Sequence, residues 1–124
     1  MAIDNVWAIV FYTEDSGRIP VREFLESLDE TTRLQLAVSI GRLRRENISA
    51  QEPLVKKIEG RMWELRRESN TNAYRILYFF FTGRKIVLLH GFQKKTQKTP
   101  RTEIETANRR LAQYVARHGG DLRV

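Results

Sequence analysis

Apolar residues recur along this chain with two different periods, and the change from one to the other separates a helical first half from a stranded second half. The opening run Val6-Trp-Ala-Ile-Val-Phe-Tyr12 is β-branched and aromatic and is ended by Glu14-Asp15-Ser16-Gly17, which predicts a strand and a turn. Pro20 suits the first residue of a short helix whose apolar side is Val21, Phe24, Leu25 and Leu28. Asp29 can cap a second helix running to about Glu46, with Leu36, Ile40 and Leu43 at helical spacing. After Glu52-Pro53 the period falls to two. Residues 62–67, 73–81 and 85–92 read as three strands of an antiparallel meander, joined through residues 69–72 and through Thr82-Gly83. A polar loop over residues 93–99 leads to a last helix with the stripe Ile104, Ala107, Leu111, Tyr114 and Val115. Its start has two readings, Thr99 as cap with Pro100 at the first helical position, or a capping box of Thr102 and Glu105.

The expected order is therefore β-α-α-β-β-β-α, an α+β domain over residues 1–118 with a tail over 119–124. The helices are expected on one face of the sheet, leaving the other face exposed. At 124 residues the chain can bury one core. It has no cysteine, its longest apolar run covers only residues 76–81, and its first residues lack the basic start of a secretory signal, so a cytoplasmic, non-membrane protein is expected.

Charge sharpens the picture. The whole chain carries a formal +7, yet residues 56–101 hold 12 Lys or Arg against three acids, while the remainder is slightly acidic. The excess thus lies on the most strand-like and aromatic stretch, and a folded basic sheet attracts polyanions through Coulomb forces and counterion release. Nucleic acid fits this better than a membrane surface, which usually recruits its cations on an amphipathic helix.

Two histidines and no cysteine make a poor metal ligand set, and the glycines stand singly rather than in a phosphate-binding signature, so neither a metal nor a nucleotide cofactor is expected. What remains suits RNA cleavage, which must deprotonate a 2′-hydroxyl, stabilise charge on the phosphate and deal with the leaving oxygen. Arg66, Arg75, Lys94 and Lys95 can supply the electrostatic part, and His90 or Tyr78 a proton-transfer group. Phe92 can stack on an unpaired base. Each has a plainer reading. Arg66 beside Glu64, and Arg67 beside Glu68, can be ion pairs on a wet face. His90 on an Ile86, Leu88, His90, Phe92 side, like Tyr78 and Phe92, can be core, and Lys94, Lys95 and Lys98 can be solvated charge.

Three blocks of sequence carry a family resemblance: Lys57-Ile-Glu-Gly-Arg-Met-Trp-Glu-Leu-Arg66, Tyr74-Arg-Ile-Leu-Tyr-Phe79, and Leu89-His-Gly-Phe-Gln-Lys-Lys-Thr-Gln-Lys-Thr-Pro100. Together they resemble the phage-derived HigB-like branch of the RelE/ParE toxin superfamily over nearly the whole chain. The resemblance implies a RelE-like fold with a curved antiparallel sheet, and the toxin of a type II toxin–antitoxin module. Such a toxin acts at the ribosome as a metal-independent endoribonuclease on mRNA. Its partner would be a helix-turn-helix antitoxin of the HigA or Xre type, with the pair bound to operator DNA. Carried over by motif, Arg66, Arg75, His90, Lys94 and Lys95 would be catalytic, and Tyr78, Phe92, Lys98, Arg67 and Lys57 would bind RNA. The competing readings are a ParE-like gyrase poison and a non-enzymatic nucleic-acid-binding module. With no acidic base expected in the cleft, the reading also implies weak cleavage of naked RNA, the ribosome supplying orientation.

Overall fold

The computed structural model describes residues 5–119. Its elements are β1 (Ala8–Phe11), α1 (Pro20–Glu26), α2 (Glu30–Glu46), a 3-10 turn (Asn47–Ser49), β2 (Val55–Glu59), β3 (Met62–Ser69), β4 (Asn72–Phe81), β5 (Lys85–Lys94) and α3 (Arg101–His118). The fold is α+β, as the pattern predicts. Pro20 does open α1, and the Asp29 carboxylate accepts from the Thr32 N–H at 3.0 Å at the start of α2. The expected turns are also present, with Asn70 at φ 57° between β3 and β4 and Gly83 at φ 86° between β4 and β5.

Three features depart from the sequence reading. First, a strand was missed. Val55–Glu59 pairs antiparallel with β3, so the sheet order is β1-β5-β4-β3-β2. Second, β1 pairs with β5 in parallel, so the sheet is mixed rather than purely antiparallel. The α1–α2 hairpin carries the chain from β1 back across the sheet, and such a crossover is what a parallel pair requires.

Third, the helices do not share one face. Val21 of α1 with Leu36 and Leu43 of α2 packs on Val55, Leu65, Ile76, Tyr78, Ile86 and Leu88. On the opposite face, Ile104, Ala107 and Tyr114 of α3 pack on Met62, Leu77, Phe79, Val87 and Leu89. The central strand β4 is buried on both sides, which is why its sequence is a nearly continuous apolar run rather than an alternating one. A methyl at Gly91 would collide with the Phe24 ring, so the close seating of α1 on β5 requires glycine there.

A bulge in β5 then sets the site. Leu77 of β4 faces His90 while Tyr78 faces Leu88, leaving Leu89 as the extra residue. Beyond it the alternation is inverted: Ile86 and Leu88 point to the α1–α2 side, but His90 and Phe92 point to the α3 side. The expected shared face of those four residues is thereby corrected. Residues 1–4 and 120–124 lie outside the described residues, and with them most of the expected tail; Gly119 ends α3 in the left-handed conformation.

Candidate active site

α3 begins partway across its face of the sheet, so the ends of β2 to β5 beyond its first turn are left uncovered by helix. Alternation aims Lys56 of β2, Glu64, Arg66 and Glu68 of β3, Arg75 of β4 and Lys94 of β5 to this side. Register brings them together: Lys56 faces Glu64, Arg66 faces Arg75, and Arg75 faces Phe92. A groove of 300 Å³ is lined by Lys56, Lys57, Ile58, Glu64, Lys94, Gln97, Lys98, Thr99 and Ile104.

Glu64 is the centre of the arrangement. Its side chain is 1% exposed, with Arg75 Nε at 3.5 Å and Arg66 Nε at 3.8 Å from Oε1. The Thr99 hydroxyl donates to its other oxygen, Oε2, at 2.5 Å. Two arginines directly opposite on neighbouring strands repel each other. The buried carboxylate beneath them supplies the counter-charge, and the Thr99 bond ties the β5–α3 loop, with Lys95 and Lys98, to the sheet. Thr99 is therefore not the helix cap that the sequence suggested; Pro100 precedes the first turn and no side chain caps it.

Arg75 itself is only 4% exposed and is heavily engaged. Its guanidinium donates to both oxygens of Glu68, at 3.1 and 3.2 Å, and to its neighbour's carbonyl, Tyr74 O, at 2.9 Å. Glu68, 60% exposed, thus covers Arg75 from the solvent side. Arg66 is 25% exposed and lines a neighbouring groove together with Glu68. Lys94 stands among these charges: burial and the nearby Arg75 lower its pKa, Glu64 opposes the shift, and Arg66 and Lys56 add to it. Lys95 and Lys98 are exposed on the loop.

The other expected site residues lie elsewhere. Tyr78 is fully buried in the α1–α2 core, edge-on to Phe80 at 5.7 Å, and burial pushes its hydroxyl pKa well up. It can neither stack on a base nor exchange a proton with substrate, because even-numbered residues of β4 at this point face the helical hairpin. Phe92 is 7% exposed and stacked on His90, with ring centres 5.5 Å apart, so it is core and not a platform for RNA.

His90 is held by α3. Its Nε2 lies 2.6 Å from Glu103 and its Nδ1 3.1 Å from Arg110, with burial, the largest influence, lowering its pKa against the pull of Glu103. Leu77 separates it from Glu64 across the strands. Arg67 turns to α2, where it donates to Ser39 at 3.4 Å, and lines the second groove with Arg42, Pro53 and Leu54 as well as Arg66 and Glu68. Lys57 does border the first groove, but its ammonium sits 5.0 Å from the centre of the Trp63 ring, so Lys56, opposite Glu64, is the one that directs its charge at the cluster.

Sequence reasoning missed Glu64, Lys56 and Thr99. Glu64 was visible only as a surface ion-pair partner. Lys56 required β2, whose signal was the Glu59-Gly60-Arg61-Met62 hairpin, with Gly60 at φ 52°. Thr99 left no local signal, since its partner is 35 residues away. Among the described residues no three His, Asp or Glu side chains gather as metal ligands.

The family model of the phage-derived Gp49-like proteins (DUF891) matches residues 23–112, which include every residue of this cluster. The chain is 34% identical over 97 residues to the protein named "Probable endoribonuclease HigB1" of Mycobacterium tuberculosis, in both strain CDC 1551 / Oshkosh and strain ATCC 25618 / H37Rv. The match covers 78% of this chain and 75% of the relative. With a family match over most of the chain and that degree of identity, the chain belongs to the phage-derived Gp49-like family, as a HigB-like member of it.

Proposed function

We propose that this protein is the toxin of a type II toxin–antitoxin pair and acts in the cytoplasm as an endoribonuclease on mRNA. The observation that carries the reading is the cationic cluster around Glu64: Lys56, Lys94 and Lys98 line one groove with it, and Arg66 and Arg75 pair with its carboxylate, in a chain similar to a protein named as an endoribonuclease. Lys56, Lys98 and Lys95 hold the phosphates on either side of the scissile bond. Arg66, with Arg75 beneath it, stabilises the charge that gathers on the phosphorus-bound oxygens at the transition state.

Lys94 is the proton-transfer group, because its lowered pKa enlarges the neutral fraction that can act as a base. The 2′-oxygen forms its bond to phosphorus as its proton passes to the Lys94 amine, the bond to the 5′-oxygen breaks, and the ammonium returns that proton to the leaving oxygen. A 2′,3′-cyclic phosphate and a 5′-hydroxyl result. No metal takes part. Glu64 acts through its neighbours, fixing both arginines and the loop. The exposed groove orients a flexible strand poorly by itself, so the ribosome supplies the alignment, and a helix-turn-helix antitoxin restrains the protein and joins it on operator DNA.

The test is induction in a bacterium with mapping of transcript ends, for the wild type and for Lys94→Met and Arg66→Met. Wild-type protein should halt translation and leave new ends on ribosome-bound mRNA. Both variants should lose at least about a hundredfold in rate. Replication stopping before translation would favour a gyrase poison instead, and retention of full toxicity by both variants would remove the groove from the mechanism.

A further inference from the structure

Among the described residues Arg67 is a partly buried cation that forms no ion pair. Its sequence neighbour Glu68 would be the obvious partner, but that carboxylate gives both oxygens to Arg75. The Arg67 guanidinium makes one long bond, to the Ser39 hydroxyl at 3.4 Å, and its buried Nε has no hydrogen-bond partner. A guanidinium in such a place has given up hydration on folding. The unfilled donors are a standing cost that an incoming anion removes.

The space in front of Arg67 can hold one. The second groove, of 440 Å³, runs between α2 and the edge of the sheet and is lined by Ser39 and Arg42 of α2, by Leu54, and by Arg66, Arg67 and Glu68 of β3. It lies where β2 has not yet begun: the Arg66 N–H donates to Leu54 O at 2.9 Å, and β2 pairs with β3 only from Val55, opposite Leu65. Alternation along β3 turns the Glu68 N–H out of the same open edge as that of Arg66. Three arginines and a backbone donor therefore border one cavity, against a single carboxylate that Arg75 already neutralises. Arg42 holds Glu46 through Nε at 2.6 Å, which leaves the terminal nitrogens of its fork for a ligand.

The two grooves meet at Arg66. It lines the second, and its Nε lies 3.8 Å from Glu64, which lines the first. We propose that the second groove is a further phosphate subsite for the RNA strand: the chain leaves the first groove past Arg66 and lays a flanking phosphate against Arg67 and Arg42. Planar guanidinium forks suit a phosphate, which accepts two parallel N–H bonds from each. An acidic protein segment would also satisfy the arginines, but a backbone with regularly repeating charge is what links this groove to the first through Arg66. The assignment rests on the nuclease reading above and extends the path of its strand to the α2 side of β3. It makes Arg67 and Arg42 positioning residues, remote from the proton transfer.

The probes are two 2′-O-methyl RNAs, which lack the nucleophile and cannot be cut. One, of about three nucleotides, spans the first groove alone; the other has about ten. Fluorescence anisotropy with the full chain, across a salt series, reads their affinities. Arg67→Gln should weaken the long RNA at least about tenfold at low salt and Arg42→Gln at least about threefold, with the short RNA changed by less than about twofold. The double variant should lower the slope of log affinity against log salt by about 0.7 for the long RNA, the value for one single-strand phosphate. Arg42 is 53% exposed and its surface pair with Glu46 adds little to stability, so Arg42→Gln tests the groove without disturbing the fold.

Equal losses for the two RNAs, or an unchanged slope, overturn the subsite. So does a polyglutamate peptide whose binding the double variant weakens while that of the long RNA stays as it was, which would give the groove to an acidic protein. Failure of both RNAs to bind the wild-type chain at low salt would refute the nuclease reading and the subsite with it. Wild-type binding with indifferent variants removes the subsite alone.

Discussion

Replacing Glu64 by Gln keeps the shape of the side chain and removes one buried charge from beneath two arginines. Arg75 Nε stands 3.5 Å and Arg66 Nε 3.8 Å from the carboxylate. At such separations a pair of unit charges attracts by about 4 kcal/mol if the effective dielectric constant is near 20. Desolvation already paid by the folded protein is not recovered in the variant, and Arg75 retains Glu68. The net loss should therefore be about 3 kcal/mol, the low end for breaking a buried ion pair. For a domain of this size that lowers Tm by roughly 10 °C. Urea and thermal melts of wild type, Glu64→Gln, Arg75→Met and the double variant measure it directly. The double-mutant cycle should return a coupling of at least about 1.5 kcal/mol; additivity within about 0.5 kcal/mol would refute the role of Glu64 as the counter-charge. Activity should fall further than stability explains, since Arg66 and Arg75 lose the carboxylate that fixes them side by side.

Glu68→Gln removes the carboxylate that covers Arg75, so single-stranded RNA should bind more tightly at low salt; unchanged affinity in a salt titration would show that Glu68 does not compete with phosphate. Tyr78→Phe removes a buried hydroxyl that has no hydrogen-bond partner and should leave toxicity intact with stability equal or higher, whereas lost toxicity in a folded variant would return Tyr78 to the mechanism. Gly41→Ala should stabilise the isolated protein by about 1 kcal/mol in a urea melt, and a destabilised variant would show that the fold itself needs the glycine. Because burial depresses the folded-state pKa of His90, the unfolded chain takes up the proton first; this part of the stability should fall as pH drops from about 6.5 toward the lowered value. His90→Gln should flatten the pH dependence of Tm in that window, and an unaltered slope would remove His90 from it.

The sequence by itself determined every helix and strand except β2, and the charge they carry. Period-three-and-four spacing placed α2, period-two spacing placed β3 and β5, and Asp29 and Pro20 marked helix starts, because caps and amphipathic faces are local properties of the chain. The charge imbalance over residues 56–101 likewise identified the basic sheet without any coordinates.

Only the tertiary structure decided which of those residues meet. The β5 bulge at Leu89 inverts the faces beyond it, sending His90 and Phe92 under α3 and away from the Ile86 and Leu88 side; one inserted residue has that effect and leaves no mark on composition. β4 is apolar over residues 76–81 because helices cover both its faces, so alternation puts Tyr78 and Arg75 on opposite faces without telling which is core and which faces the site. Glu64 looked like a wet-face ion pair since its neighbours in sequence are Trp63 and Leu65. Its actual environment comes from Arg75 on the next strand and Thr99 beyond the last, and burial by distant segments is a property of packing that no local pattern encodes.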